Sequence, residues 1–262
     1  MSRLVDGSVV TDVAPMKRNR LNQILASLYV NALYEMKNYP VVLLNTMLSP
    51  LSFLILIVFV SHGRLIGEAI EGGLIMSMFG AGTSLLTDMS HLKNDFKLQD
   101  MVVSSPATWQ TYVAGMALSE IVYSLPALVV LGTLAAYFIH TTPAGFLTMI
   151  GVFFTVFVTS IVIGYTFATF SSDIVQSFAF SRLISTLFAT IPPVYYPITY
   201  VPLPYRYLAY LSPTTYAAEL AQNAGGYLSL SPQTYLVDWL VLISVTAILF
   251  AVARRKAKWR ET

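Results

Sequence analysis

The sequence predicts an all-α integral membrane protein: six transmembrane helices, an N-terminal amphipathic interfacial helix, and short re-entrant outer helices before the last span. Three observations predict this. The first is composition. Of the 262 residues, 56% are hydrophobic and 11% charged, against about 25% charged in an ordinary soluble domain; mean hydropathy is +0.67. So few charges could not cover a soluble body of this length. The second is a set of six apolar stretches of the length a bilayer core demands, about 20 residues as a helix. The third is the placement of lysine and arginine, which is consistent with six spans.

The expected spans are 40–60, 70–88, 108–139, 144–170, 174–195 and 234–253. The third and fourth exceed the need, and are expected to protrude or tilt. The second is diluted by Gly72, Gly73, Gly80 and Gly82; small residues let helices approach closely in lipid, although glycine is also simply common in membrane helices. Arg3, Lys17, Arg18, Arg20 and Lys37 precede span one. Lys93 and Lys97 lie between spans two and three, and Arg254, Arg255, Lys256, Lys258 and Arg260 follow span six. With six spans all of these share one side, with Arg182 near it, and Arg64 and Arg206 fall opposite. The positive-inside rule then puts both termini in the cytoplasm of a multi-pass protein, expected in the plasma membrane.

The organisation that follows is a polar cytoplasmic tail (1–20), a single six-span domain (21–253) and a basic cytoplasmic tail (254–262). The tail 1–20 lacks the early apolar run of a signal peptide, so the first span is expected to serve as its own targeting signal. Within the domain, Leu21, Leu25, Leu28, Ala32 and Met36 recur at helical spacing. They suggest an interfacial helix over 21–37, on the cytoplasmic membrane surface; the alternative is an extension of span one. The outer segment 192–226 opens with Pro192 and Pro193, which stop span five. Its stretch from Pro192 to Pro213 holds six prolines and six tyrosines, too broken to cross the bilayer. Ser212 as N-cap, Pro213 at N1, and Gly225 and Gly226 as the stop predict a helix over its last part. Tyrosine favours the membrane interface. The segment reads as short helices in the outer leaflet, serving either as an anchor for span six or as a lid over an exit.

Several chemistries lack support. There is no cysteine, hence no disulfide framework or thiol nucleophile. No Gly–Lys pair exists to build a phosphate-cradling loop. His62, His91 and His140 lie far apart in sequence, so no metal site is expected. The net charge of +2 does not suggest nucleic acid. Glu120 falls inside span three, where a charge costs on the order of 2–3 kcal/mol and should face protein or water. It is either a functional intramembrane acid or, the reading preferred here, a residue solvated near the cytoplasmic end of a long helix. Asp173 is expected to cap span five.

The cytoplasmic loop 89–107 is more informative. Lys93, Asp95, Lys97 and Asp100 alternate in sign around Leu92, Phe96 and Leu98, a pattern suited to docking a cytosolic partner rather than to a mere linker. With "VVSSPATWQTYVAG" after this loop and "LPYRYLAYLSPTTYAAEL" before the last span, the layout resembles the permease subunits of ABC-2 type exporters. The resemblance implies a transporter subunit, not an enzyme, that pairs with a second permease as a homodimer or heterodimer. It also implies a separate ABC ATPase; ATP and magnesium would bind there, and this chain would bind no cofactor. It implies that Leu92, Lys93, Asp95, Phe96, Lys97, Leu98 and Asp100 couple to the ATPase, braced by the 21–37 helix, with the bias transmitted through Ser105–Trp109. Spans one and five would meet at the dimer seam. Met76, Phe79, Thr83, Phe180, Leu187 and Phe188 would line the path, and Tyr195, Tyr196 and Tyr200 would shape the exit. The cargo would be hydrophobic or amphipathic: a drug-like compound, a lipid or a lipid-linked glycan. The rival readings are an ion-coupled secondary transporter, which predicts paired intramembrane charges and an internal repeat, neither evident in the sequence, and a non-transporting membrane scaffold; a membrane enzyme lacks any catalytic constellation.

Overall fold

The computed structural model describes residues 20–94 and 109–256, and every regular element among them is helical. The chain enters on α1 (Arg20–Leu28), passes through a π-helical stretch (Tyr29–Leu33) and continues without a break into α2 (Tyr34–Asn38). Next come α3 (Val41–Val60), α4 (Ile66–Asn94), α5 (Trp109–Phe138) and α6 (Pro143–Phe170). Helix α7 (Ile174–Ser185) is prolonged by a π-helical stretch, Thr186–Thr190. Two short helices, α8 (Leu203–Ala209) and α9 (Pro213–Ala224), precede the last long helix, α10 (Pro232–Lys256).

Four helices among the described residues are long and apolar enough to cross a membrane: Ile66–Leu92, Gln110–Phe138, Pro143–Phe170 and Pro232–Arg255. At ~1.5 Å per residue each exceeds a ~30 Å hydrocarbon core. Helices α3 and α7 contribute shorter apolar runs, Thr46–Val60 and Ile174–Phe188. Helix α4 is longer than the expected span 70–88. It starts before Gly67 and takes Met89–Asn94 from what the sequence assigned to the loop. The fifth apolar run stays helical only to Thr190, because Pro192 and Pro193 cannot continue it.

Local chemistry sets several boundaries. Asp173 caps α7 as expected, its Oδ1 accepting from the Gln176 N–H at 2.7 Å. Thr142 caps α6 by accepting from the Gly145 N–H at 3.1 Å, with Pro143 at the first helical position. Ser212 stands at the N-cap of α9 but its side chain makes no capping bond. Its hydroxyl instead pairs with that of Thr214 at 2.8 Å, and Thr214 in turn donates to the Phe188 carbonyl. The turn after α9 closes through Gly226 at φ +81°, a left-handed conformation that glycine adopts without steric cost.

Helix α4 is the hub. It packs against α3, α5, α6, α7 and α9, and 72% of its most apolar window is buried. Three of its four diluting glycines are close-approach positions. A Cβ on Gly82 would strike the Ser160 backbone of α6, and one on Gly164 would strike Gly82 in return. Gly72 lies under the backbone of Val194 and Tyr195, and Gly73 under Leu131. Small residues here let backbones meet, which is how helices associate in lipid. Interhelical hydroxyl bonds reinforce the crossings: Ser160 to the Met78 carbonyl at 3.0 Å, Thr46 to the Tyr123 carbonyl at 3.2 Å, and Thr159 with Thr246 at 2.6 Å.

Two ends are distinguishable. At the distal end the 61–65 turn, the 139–142 turn and the 191–231 segment gather: Thr141 donates to the Ala224 carbonyl at 2.6 Å, and Gly67 lies against the Tyr227 ring. At the proximal end Ser90 reaches the Asp173 carbonyl, and α1 lies on α5. There Gly115 receives Ser27, and the Tyr123 hydroxyl donates to the Asn31 carbonyl at 2.6 Å. The expected apolar stripe of α1 and α2 is divided. Ala32 is buried, whereas Leu21 and Leu25 are exposed in line with Tyr29 and Leu33.

Candidate functional site

Between α3, α4, α5 and α7 lies a cavity of about 300 Å³. Helix order and the contacts above give it a direction. Thr46, Thr83, Ser84, Glu120 and Tyr123 line its proximal part, and Phe53, Met76, Ala127 and Tyr195 its distal part. The distal wall is aromatic, with Phe53 and Tyr195 stacked at 5.4 Å and 24°. The proximal wall is rich in hydroxyls and includes one carboxyl group. Glu120 is only 2% exposed. This corrects the preferred expectation: Glu120 is not solvated near a helix end but buried in the wall of a cavity, as a costly intramembrane charge requires.

The cavity gathers part of the expected path. Met76, Phe79 and Thr83 line it. Phe180 instead packs its ring on Phe167 at 5.3 Å, and Phe188 packs on Phe79 at 5.9 Å; neither lines the cavity. Leu187, in the π-helical continuation of α7, is exposed. The three expected gate tyrosines separate too. Tyr195 is buried in the cavity wall, Tyr196 is partly buried against the main core cluster, and Tyr200 is exposed. A period-3.6 reading of one helix cannot distinguish a cavity-facing aromatic from one wedged between helices, which explains the mixed outcome. Of the expected coupling residues, Leu92 lies in the last turn of α4 and is partly buried against the cluster of Leu85, Met116 and Tyr165. Lys93 belongs to the last turn of α4, while Asp95, Phe96, Lys97, Leu98 and Asp100 lie outside the described residues, as do 105–108.

The distal end holds polar groups that the sequence reading missed. Glu68 and Glu71 of α4, Glu219 and Gln222 of α9, and Asp238 of α10 are all buried. Glu219 accepts from the Tyr210 hydroxyl at 2.9 Å and shares a hydrogen bond with Asp238. A hydrogen bond between two carboxyls needs a proton on one of them. Burial raises the pKa of Glu219 above the ordinary carboxylate value, with the bonds from Tyr210 and Asp238 pulling the other way. Tyr210 is raised by burial, then by the neighbouring Glu219. Both oxygens of Glu71 and both polar atoms of Gln222 lack a hydrogen-bond partner; Glu71 lies against Gly225. The signal was present as acidic or amide pairs three residues apart, Glu68/Glu71 and Glu219/Gln222. It was missed because span two was started at residue 70, and because Asp238 sits in an otherwise apolar run.

An all-helical body with four membrane-length apolar helices, interhelical hydroxyl bonds and a buried intramembrane acid defines a multi-pass membrane protein. The sequence profile of the ABC-2 type transporter family matches residues 22–224, well over half of the chain, and the chain belongs to that family. It is therefore a transporter permease, a transmembrane component that is not itself catalytic. The match begins in α1 and ends with α9, so the entry helix and the short distal helices both belong to it. No curated protein matches the chain.

Proposed function

We propose that the chain is the membrane subunit of an ATP-driven exporter. It moves hydrophobic or amphipathic cargo outward when paired with a separate ATPase chain and a second permease. The observation that carries this reading is the family match from the first amphipathic helix through the short distal helices. In this reading six helices span the plasma membrane, with α3 and α7 completing the set. Both termini are cytoplasmic, and the distal end faces outward. ATP and magnesium bind the partner, and residues 92–100 dock into it with the 20–38 helix as a brace. Nucleotide state biases inward against outward forms through that dock, since a ligand shifts only an equilibrium whose states it binds differently.

The test is mild-detergent purification from native membranes, with identification of co-purifying chains. Because Leu92 is partly buried, the dock is better probed by Phe96→Glu with Leu98→Glu. A Walker-type ATPase should co-purify with the wild type and be lost from the double variant. Recovery without any ATPase, even after crosslinking in membranes, overturns the reading. The buried Glu219–Asp238 pair favours one rival, an ion-coupled carrier. That rival requires transport to stop when the proton gradient is collapsed at constant ATP.

A further inference from the structure

The cavity between α3, α4, α5 and α7 has three features that packing does not account for. The first is Gly80. Glycine in a helix interior costs about 1 kcal/mol relative to alanine. At Gly72, Gly73 and Gly82 that cost is offset by backbones or side chains that a Cβ would strike. At Gly80 a Cβ would meet nothing within 4 Å, and Gly80 lines the cavity. The missing side chain there is open volume, not close approach.

The second feature is the hydrogen-bonding sense of the wall. Thr46 donates to the Leu43 and Tyr123 carbonyls, Ser77 to the Gly73 carbonyl at 2.9 Å, and Thr83 to the Gly80 carbonyl at 2.8 Å. Tyr123 donates to the Asn31 carbonyl. A hydroxyl whose hydrogen is committed offers only its lone pairs. These four side chains therefore offer the cavity lone pairs, and the hydroxyls of Ser49, Ser84, Ser124 and Ser185, which also line it, can turn either way. Glu120, the only acidic or basic residue among the described lining residues, is an acceptor when ionised. The third feature is polarity. Thr46, Thr83, Tyr123 and the Glu120 carboxyl lie in the proximal half, while the rings of Phe53 and Tyr195 and the Met76 side chain give the distal half its apolar surface. The volume, about 300 Å³, matches the lower end of small-molecule sites.

We propose that this cavity, within a single protomer, binds an amphiphile bearing a primary ammonium head, with the head among Thr46, Thr83, Glu120 and Tyr123 and the apolar body toward Phe53 and Tyr195. An ammonium group supplies three donors and no acceptor, the complement of the lone pairs that Thr46, Thr83, Tyr123 and an ionised Glu120 offer. An alcohol of the same chain length supplies one donor and no charge. The inference names a substrate class for the exporter reading and rests on it for the claim that the ligand is cargo; the binding itself does not depend on any ATPase.

The experiment is a fluorescence titration of the whole protein in lipid nanodiscs, with empty nanodiscs as the blank. The probes are 12-(dansylamino)dodecylamine and 12-(dansylamino)dodecanol. The amine should bind at least ~10-fold more tightly than the alcohol, since a hydrogen bond to a charged group contributes roughly 1.5–3 kcal/mol and 1.4 kcal/mol is tenfold. Glu120→Gln should remove most of that difference while leaving the alcohol within about 2-fold. Gly80→Leu, which fills open space rather than displacing a neighbour, should weaken both probes about 10-fold or more by occupying the site. Equal binding of amine and alcohol by the wild type overturns the head-group assignment. Undiminished binding by Gly80→Leu overturns the cavity as the site. Loss of binding with an ATPase still co-purifying sinks this inference alone, whereas absence of the ATPase with binding intact sinks only the exporter reading.

Discussion

At the scale of single residues, the glycines of α4 divide into two kinds that look alike in the sequence. Gly82 faces the Ser160 backbone so closely that even a methyl group must displace α6. Gly80 faces a void. Overpacking a well-packed contact costs typically 1–3 kcal/mol, and backbone atoms yield less than side chains do. Gly82→Ala should therefore lower the thermal midpoint in detergent sharply, with a loss at or above that range. Gly80→Ala should leave the midpoint unchanged or raise it, by up to about 1 kcal/mol from helix propensity. Differential scanning fluorimetry of the two variants side by side decides the matter: equal effects would mean that the α4–α6 crossing is looser than its geometry implies. The same distinction separates Glu120 from an ordinary interfacial acid. Its cost is met by a cavity wall rather than by bulk water.

At the scale of elements, the docking of α9 on α10 runs through a carboxyl pair. Tyr210, just after α8, and Asp238 of α10 bond Glu219 directly, and Tyr216 is the other titratable group nearby. Burial raises the Glu219 pKa. Between the ordinary carboxylate value and the raised one, the folded state holds a proton that the unfolded chain has released. The stability contribution is thus complete below the ordinary carboxylate value and is lost as pH rises through the folded value. The thermal midpoint should fall as pH rises above the ordinary carboxylate range, and Glu219→Gln, which cannot ionise, should flatten that fall. Parallel curves for wild type and variant would assign the titration elsewhere. This pair also marks where sequence reading ran out. The six apolar runs, the Asp173 cap and the helix after Ser212 were legible, because hydropathy and capping act within a few residues. The meeting of Glu219 with Asp238, and the separation of Phe180 from Met76 and Phe79, depend on how helices distant in sequence are packed. The Ser212 side chain shows the same limit on a smaller scale: its hydroxyl went to Thr214 because Thr214 is itself drawn to Phe188 on another element.

At the scale of the whole molecule, the question is whether α3 and α7 cross the bilayer with the four longer helices. Their apolar runs are short, Thr46–Val60 and Ile174–Phe188, yet a 20-residue α3 is long enough to span a ~30 Å core. If both cross, the 61–65 turn, the 139–142 turn and the 191–231 segment share one side, and the 171–173 turn lies on the other. Because the chain contains no cysteine, each introduced thiol is unique. Arg64→Cys, His140→Cys, Ser229→Cys and Ser172→Cys replace exposed residues in these four connections. An outward-facing distal end predicts that a membrane-impermeant maleimide labels the first three in intact cells. Ser172→Cys should react only after permeabilisation. A six-span chain with the opposite orientation inverts the whole pattern. If α7 does not cross, Ser172→Cys and Ser229→Cys react together. That outcome would place α7 and the distal helices on one side of the membrane, leave α10 to cross in the opposite sense, and break the agreement between six spans and the lysine and arginine placement on which the cytoplasmic assignment of both termini depends.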